Sequence, residues 1–511
     1  MKKNLFMVAA VALMALTACT KENVNEGGAQ APEMPAPSYY VEFTAEAAND
    51  DAAATPSAPS SAQSKTTFDE TAKKTLWSSD DLISVNGKKF KVDKLIEGGL
   101  KARFINAEEL GEDFGAPFTA IYPYDATQGQ AEVPAVQTVS AGSFAEESVV
   151  TVAYSAEDNT LSFKHVNSLL KFQVSAACDE VTIISDDALA GTIKVNGVTT
   201  ENVDYSILDA KKEVTVNGPF VTGKDYYVAV LPGEKTNFKV YVDGYYSKGA
   251  ASVTPQRSKV MNMKTLPEPL RKVYVKNDLY WEDLAVYAWG ENGELLGTWP
   301  GTKVSNTETV NGKTYNVIDF QGIDDVATGI IITGKASNGS KDVEIKTSDI
   351  VSDLKGDKYY RLSIRDGLYK EVNPLDETTF GYRIFVFMQK GDNYVDPCLH
   401  IWDTNGIANT SWNNQLKMTD KYEYPGYGNK TFYYYEPPTS AYSSMNFIVT
   451  LNNGTKQTGD IKGKLTSDYY VCAWAESASN CGLYARKDEN TTKDNNSITS
   501  TYIGRNPELC Y

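Results

Sequence analysis

The chain of 511 residues is too long for one hydrophobic core to serve, so several domains of ordinary size are expected. A formal net charge of −17, which becomes −19 once a leader carrying Lys2 and Lys3 is removed, repels nucleic-acid phosphates and anionic membrane surfaces. His165 and His400 are the only histidines, so a histidine metal cluster or a pair of separate His-dependent active sites has almost no material, while 32 tyrosines suit a globular, β-rich chain.

Residues 1–18 carry a basic start, an apolar run from Leu5 to Leu16 too short to span a bilayer, and small residues, the form of a secretory signal. Leu16-Thr17-Ala18-Cys19 resembles the bacterial lipobox. The resemblance implies that Cys19 is the lipidated first residue of a mature protein that hangs from a membrane by lipid, and the expected location is the outer membrane, facing the cell exterior. Residues 19–38, rich in Gly, Ala, Pro and Glu, read as a flexible tether. The remaining cysteines, Cys178, Cys398, Cys472, Cys481 and Cys510, lack C-x-x-C spacing, which argues against zinc and thioredoxin chemistry. Cys472 and Cys481 flank an expected β-turn, and either pair or remain buried free thiols.

From Tyr39 to Pro267 the chain is a series of short alternating runs. Tyr40-Val41-Glu42-Phe43, Leu82 to Val85 closed by Asn86-Gly87, Leu170 to Val174, and Tyr226 to Leu231 closed by Pro232-Gly233 predict antiparallel strands and hairpins. They divide into two β-sandwiches, 39–155 and 156–267, with Asn49 to Ser64 as an exposed loop of the first. The succession Thr75-Leu76-Trp77-Ser78-Ser79-Asp80-Asp81-Leu82-Ile83, Ile121-Tyr122-Pro123-Tyr124, His165 to Phe172 and Tyr226 to Pro232 resembles the fimbrillin-like lipoproteins of Bacteroidetes. That resemblance implies transthyretin-like sandwiches used as a surface stalk or pilus subunit, with Trp77 and His165 in structural roles.

The C-terminal half contains a repeat. Val286-Tyr287-Ala288-Trp289, with Trp299 ten residues on and Lys303 beyond, recurs as Leu399-His400-Ile401-Trp402, with Trp412 ten residues on and Lys417 beyond. The run Lys272 to Lys276 answers Arg383 to Phe387, Asn338-Gly339-Ser340-Lys341 answers Asn453-Gly454-Thr455-Lys456, and Tyr359-Tyr360 answers Tyr469-Tyr470. Two modules follow, 268–373 and 380–486, with a polar tail over 487–511. The fold class is therefore all-β, a multidomain string of antiparallel β-sandwiches.

In a strand, i and i+2 share a face, so Tyr287 joins Trp289 and His400 joins Trp402. Trp299 and Trp412 sit in turn-rich segments, where a large aromatic suits contact better than packing. Three splayed rings offer rigid apolar surface to pyranose faces while polar neighbours bond the hydroxyls. The pattern resembles the starch-binding modules of carbohydrate-binding family 26 and the related family 25. The likeness also rests on Val273-Tyr274-Val275, Trp281 and the segment Asn452 to Gly459. It implies a cradle of Tyr287, Trp289 and Trp299 with Lys341 in the first module, and of His400, Trp402 and Trp412 with Lys456 and Gln457 in the second. Asp342 stands where an amide like Gln457 is expected.

These readings point to a non-catalytic surface lipoprotein that binds α-glucan (starch, maltooligosaccharide), with glucan-degrading or outer-membrane transport proteins as partners. The alternative is a fimbria-associated adhesin that binds other glycans or pilins. About 230 residues remain outside modules and tether, without the strand and helix alternation of an amylase barrel, so no enzyme is expected. No acidic loop marks a calcium site, and no cofactor is expected.

Overall fold

The computed structural model describes residues 42–46, 67–69 and 74–484, apart from 125–128, 280, 338–341, 364–365, 367, 376–380, 389–392, 425–429, 455 and 466–467. Cys19, the tether, the Asn49 to Ser64 segment and the tail lie outside the described residues. The described chain is an all-β multidomain protein of many antiparallel sheets.

The N-terminal half opens with an eight-stranded sheet in which Glu42–Glu46 runs antiparallel to Lys101–Asn106 and parallel to Thr160–Ser162. Pairing crosses residue 155 in both directions. Gln130–Val133 joins Ala190–Val198, and Val136–Thr138 joins Glu213–Phe220. Thr160–Ser162 and Lys164–His165 return to the first sheet. One continuous set of buried side chains accordingly runs from Phe43 to Leu266. Trp77, buried at its centre, meets Phe104, Tyr122 and Phe163 edge-on at 5.1, 5.4 and 5.1 Å. His165 is likewise buried.

Each C-terminal module is a pair of packed sheets. In the first, one sheet orders Asn306–Val310, Lys313–Asp319, Leu270–Asn277, Gly356–Ser363 and Leu368–Glu371. In the second the order is Asp420–Tyr424, Lys430–Tyr435, Ile384–Met388, Tyr469–Ala475 and Cys481–Tyr484. The opening strand of each lies parallel to a late one, Tyr274 beside Tyr359 and Phe385 beside Tyr470. The other sheets correspond as well. Glu282–Gly290 pairs with Thr302–Lys303 and Gly329–Ser337, and the latter with Asp342–Lys346. Pro397–Ile401 pairs with Leu416–Lys417 and Phe447–Leu451, and the latter with Lys456–Gln457. The repeat in sequence is thus a repeat in topology.

The second module's strand Ile384–Met388 is buried on both faces, which explains its uninterrupted Ile-Phe-Val-Phe-Met run. Ile384, Val386 and Met388 enter that module's own core, while Phe385 and Phe387 belong, with Phe432 and Tyr470, to the buried set that forms the first module's core. The N-terminal half meets the first module through polar contacts: Lys239 and Tyr241 both bond the Asp324 carboxylate, at 2.7 and 2.6 Å, and Arg271 faces Asp243 at 3.2 Å. The Lys239 bond first, and Tyr241 second, hold that carboxyl below its usual range.

Of the two arrangements open for Cys472 and Cys481, neither is found. Cys481 is a buried free thiol and Cys472 is disulfide-bonded. The ladder sets Cys472 opposite Tyr484 and Cys481 opposite Ala475, so the turn that brings the two strands together leaves the sulfurs out of register.

Candidate functional site

The first module's face is built on Glu282–Gly290. Leu284, Val286 and Ala288 turn into the core, so the alternate residues Tyr287 and Trp289 stand on the other side of the sheet, half-buried. Tyr287 lies opposite Ile331 and Trp289 opposite Gly329. A Cβ at Gly329 would fall 2.0 Å from Trp289 Cζ2, so the indole lies directly on the neighbouring backbone where no side chain interrupts it. Trp299 reaches the same face from a loop closed by the Gly301 amide bond to the Thr298 carbonyl. Gly301 has φ +97° and a Cβ there would lie 2.2 Å from the Val286 carbonyl oxygen, so glycine is required. The buried Thr333 hydroxyl ties the loop down by donating to the Pro300 carbonyl at 3.0 Å.

The three rings converge without becoming parallel. Tyr287 and Trp289 are 5.9 Å apart at 33°, and Tyr287 and Trp299 5.4 Å apart at 64°. Trp299 is 46% exposed. The Tyr287 hydroxyl donates to Glu294 at 3.1 Å, and its pKa is raised, by desolvation first and this bond second. The Lys346 ammonium sits 5.1 Å above the Trp299 ring.

The second module repeats the plan on Pro397–Ile401. Leu399 and Ile401 point into the core, His400 and Trp402 to the opposite face, and His400 stands over Ile448 as Tyr287 stands over Ile331. Trp412, 47% exposed, comes from the turn Ser411 to Asn414. The tie runs through an added residue: Thr450 bonds Gln415, whose amide donates to the Trp412 carbonyl at 3.4 Å. Here the rings are nearly parallel, His400 and Trp402 at 5.6 Å and 25°, His400 and Trp412 at 4.2 Å and 24°. Lys462 lies 5.5 Å over Trp402.

Beside each face stands a matching ion pair. Lys303 and Lys335 share Asp283, whose carboxyl they hold below its usual range, Lys303 contributing more. Lys417 meets Asp396 at 2.8 Å.

The structure brings together Tyr287, Trp289 and Trp299, and likewise His400, Trp402 and Trp412. The polar partners differ from the expectation. Lys341 lies outside the described residues. The ladder pairs Thr333 with Lys346 and Thr450 with Gln457, and the following threonines, Thr347 and Thr458, both accept an amide bond at 3.1 Å, from Ile332 and Val449. Lys346, and not Asp342, therefore corresponds to Gln457. The first module's hairpin has longer arms, its ladder running on from Thr333 and Lys346 to Ser337 and Asp342. Gln457 shares the side of Thr450 and Cys398, hence of His400. Lys456 pairs with the core residue Leu451 and belongs to the opposite side, where its charge acts on Cys481. Trp281, part of the sequence likeness, is a buried core residue.

Sequence reasoning missed Lys346, Glu294, Lys462, Gly329 and the threonine ties. A signal existed for one: Lys346-Thr347 and Gln457-Thr458 share a threonine at the same step.

Fold and faces together define a class, an all-β multidomain protein ending in two topologically equivalent modules, each bearing a half-exposed aromatic trio. Among the described residues no group of three His, Cys, Asp or Glu side chains is placed to hold a metal ion. No family model and no curated protein matches the chain. Three solved structures are similar at low identity. A putative cell adhesion protein from Bacteroides ovatus, 13% identical with a TM-score of 0.27, covers 44% of this chain and 92% of its own. A family CBM26 module from Eubacterium rectale, in complex with maltoheptaose, is 15% identical with a TM-score of 0.15 over 42% and 96%. A fimbrial protein from Bacteroides ovatus is 12% identical with a TM-score of 0.20 over 40% and 49%.

Proposed function

We propose that this chain is a non-catalytic surface lipoprotein, anchored through Cys19 to the outer membrane and facing outward, whose two C-terminal modules each bind an α-glucan chain. The observation that carries the reading is that three aromatic rings in each module are half-exposed yet tied in place, with Trp299 and Trp412 at 46% and 47% exposure. Apolar rings kept at a surface and fixed there by buried threonines are organised for contact. The rings of the first module turn by 33° and 64° to one another, which suits a curved α-1,4 chain better than a flat β-linked one.

Such open sites bind weakly, on the order of 10 μM to 1 mM, because polar desolvation and chain ordering offset much of the contact energy. Two sites on one chain raise retention on a polymer that both can reach. Calorimetric titration of the mature chain with maltoheptaose and with cellohexaose tests the assignment. Binding of the first alone is expected. Equal binding of both would remove the α-glucan specificity, and binding of neither would remove the function.

A further inference from the structure

We infer that His400 serves the second site as a hydrogen-bond donor to a sugar hydroxyl or ring oxygen, through Nε2–H, and that the stacking surface there is left to Trp402 and Trp412. The inference rests on the glucan reading above. The two central rings occupy equivalent ladder positions but are used differently. Tyr287 meets Trp299 at 64°, which leaves its ring open, and its hydroxyl proton is given to Glu294. His400 has Trp412 in face contact at 4.2 Å and 24°, and Trp402 runs nearly parallel to it at 25°. The imidazole face under Trp412 is thus unavailable to a pyranose, and the polar edge is what remains.

Thr410 decides what that edge offers. Its hydroxyl oxygen accepts the Ile401 amide proton at 2.9 Å and lies 2.9 Å from His400 Nδ1, against 3.4 Å from the Ile401 carbonyl oxygen. The hydroxyl has one proton to donate, and the shorter contact to Nδ1 takes it. A neutral imidazole accepting at Nδ1 carries its own proton on Nε2. Among the described residues only Nδ1 of His400 is bonded to protein, and the ring is half-buried, so Nε2–H stands available beside two indoles and on the same face as Gln457. Thr410 is a positioning residue: it selects the tautomer and touches no ligand.

Two variants separate a donor from a platform. In the full mature chain with the first site silenced by Trp299→Ala, a substitution on an exposed loop, maltoheptaose is titrated against His400→Phe and His400→Gln. The phenyl ring keeps a stacking surface without a donor; the glutamine amide keeps a donor near the Nε2 position without the ring. His400→Phe is expected to weaken binding about fivefold or more, as loss of one hydrogen bond does, and His400→Gln to stay within about twofold. The opposite order would overturn the inference. Imidazole nitrogen NMR near pH 8 reads the tautomer directly, since the chain has two histidines. The Nε2–H form is expected, and the Nδ1–H form would overturn the donor whatever the variants do. An unmutated chain that ignores maltoheptaose would defeat the glucan reading itself, with the tautomer still read by NMR.

Discussion

Gly329→Ala places one methyl group under the first module's cradle and leaves every aromatic in the sequence intact. The added Cβ would lie 2.0, 2.3 and 2.6 Å from Trp289 Cζ2, Cε2 and Cη2. Ordinary carbon contact begins near 3.5 Å, so the indole must retreat by about 1.5 Å or swing off the sheet. Trp289 is half-buried at the end of its strand, so it can leave without opening the core, and the fold is expected to survive. Binding should suffer: a ring displaced this far forfeits its stacking on a pyranose, about 1 kcal/mol, or about fivefold in affinity. The assay is maltoheptaose calorimetry on the full chain with the second site silenced by Trp412→Ala, beside circular dichroism of the same sample. Unchanged affinity in a folded Gly329→Ala protein would refute the claim that Trp289, resting on bare backbone, is a contact surface.

Three further outcomes are expected. Cys19→Ala should move the protein from the membrane fraction to the soluble periplasm, because acyl chains are its proposed anchor; persistence in salt-washed membranes would contradict the lipid assignment. Thr333→Val removes the donor to the Pro300 carbonyl, at a cost of about 1 kcal/mol, and should lower the denaturation midpoint slightly while hydrogen exchange at the Gly301 amide accelerates; unchanged exchange would show that the loop needs no tie. Burial first, and Asp243 second, push the Cys178 thiol from its ordinary 9.0 up to about 12. The native state therefore keeps this proton where the unfolded chain loses it, so its contribution to stability is complete below pH 9.0 and is lost as pH rises toward about 12. Unfolding midpoints between those values, compared with Cys178→Ala, measure it; identical slopes would contradict the shift.

Much of the C-terminal architecture was legible because the constraint there is local. Alternation along Val286 to Trp289 and Leu399 to Trp402 assigns each residue a side, and with seven Trp in the chain the spacing to Trp299 and Trp412 stands out. The polar partners were not legible, because they depend on how far a hairpin extends before it turns. The arms of the two hairpins differ in length, and Lys346, which no turn signature marks, arrives where Gln457 stands in the other module. Lys456 was misplaced for a simpler reason: one step along a strand reverses the side. The pairing across residue 155 was hidden because strand exchange between Gln130–Val133 and Ala190–Val198 is non-local, and alternation says nothing of which strand a given strand will pair with. Gly329 mattered through the residue opposite it, which only the register identifies.

Retention of the mature chain on insoluble starch, compared among the unmutated protein, Trp289→Ala, Trp402→Ala and the double variant, tests the central claim most directly. Each single variant should remain folded and be retained less, and the double variant should pass into the supernatant. A folded double variant that is retained like the unmutated chain would show that the two aromatic faces are not where starch is held.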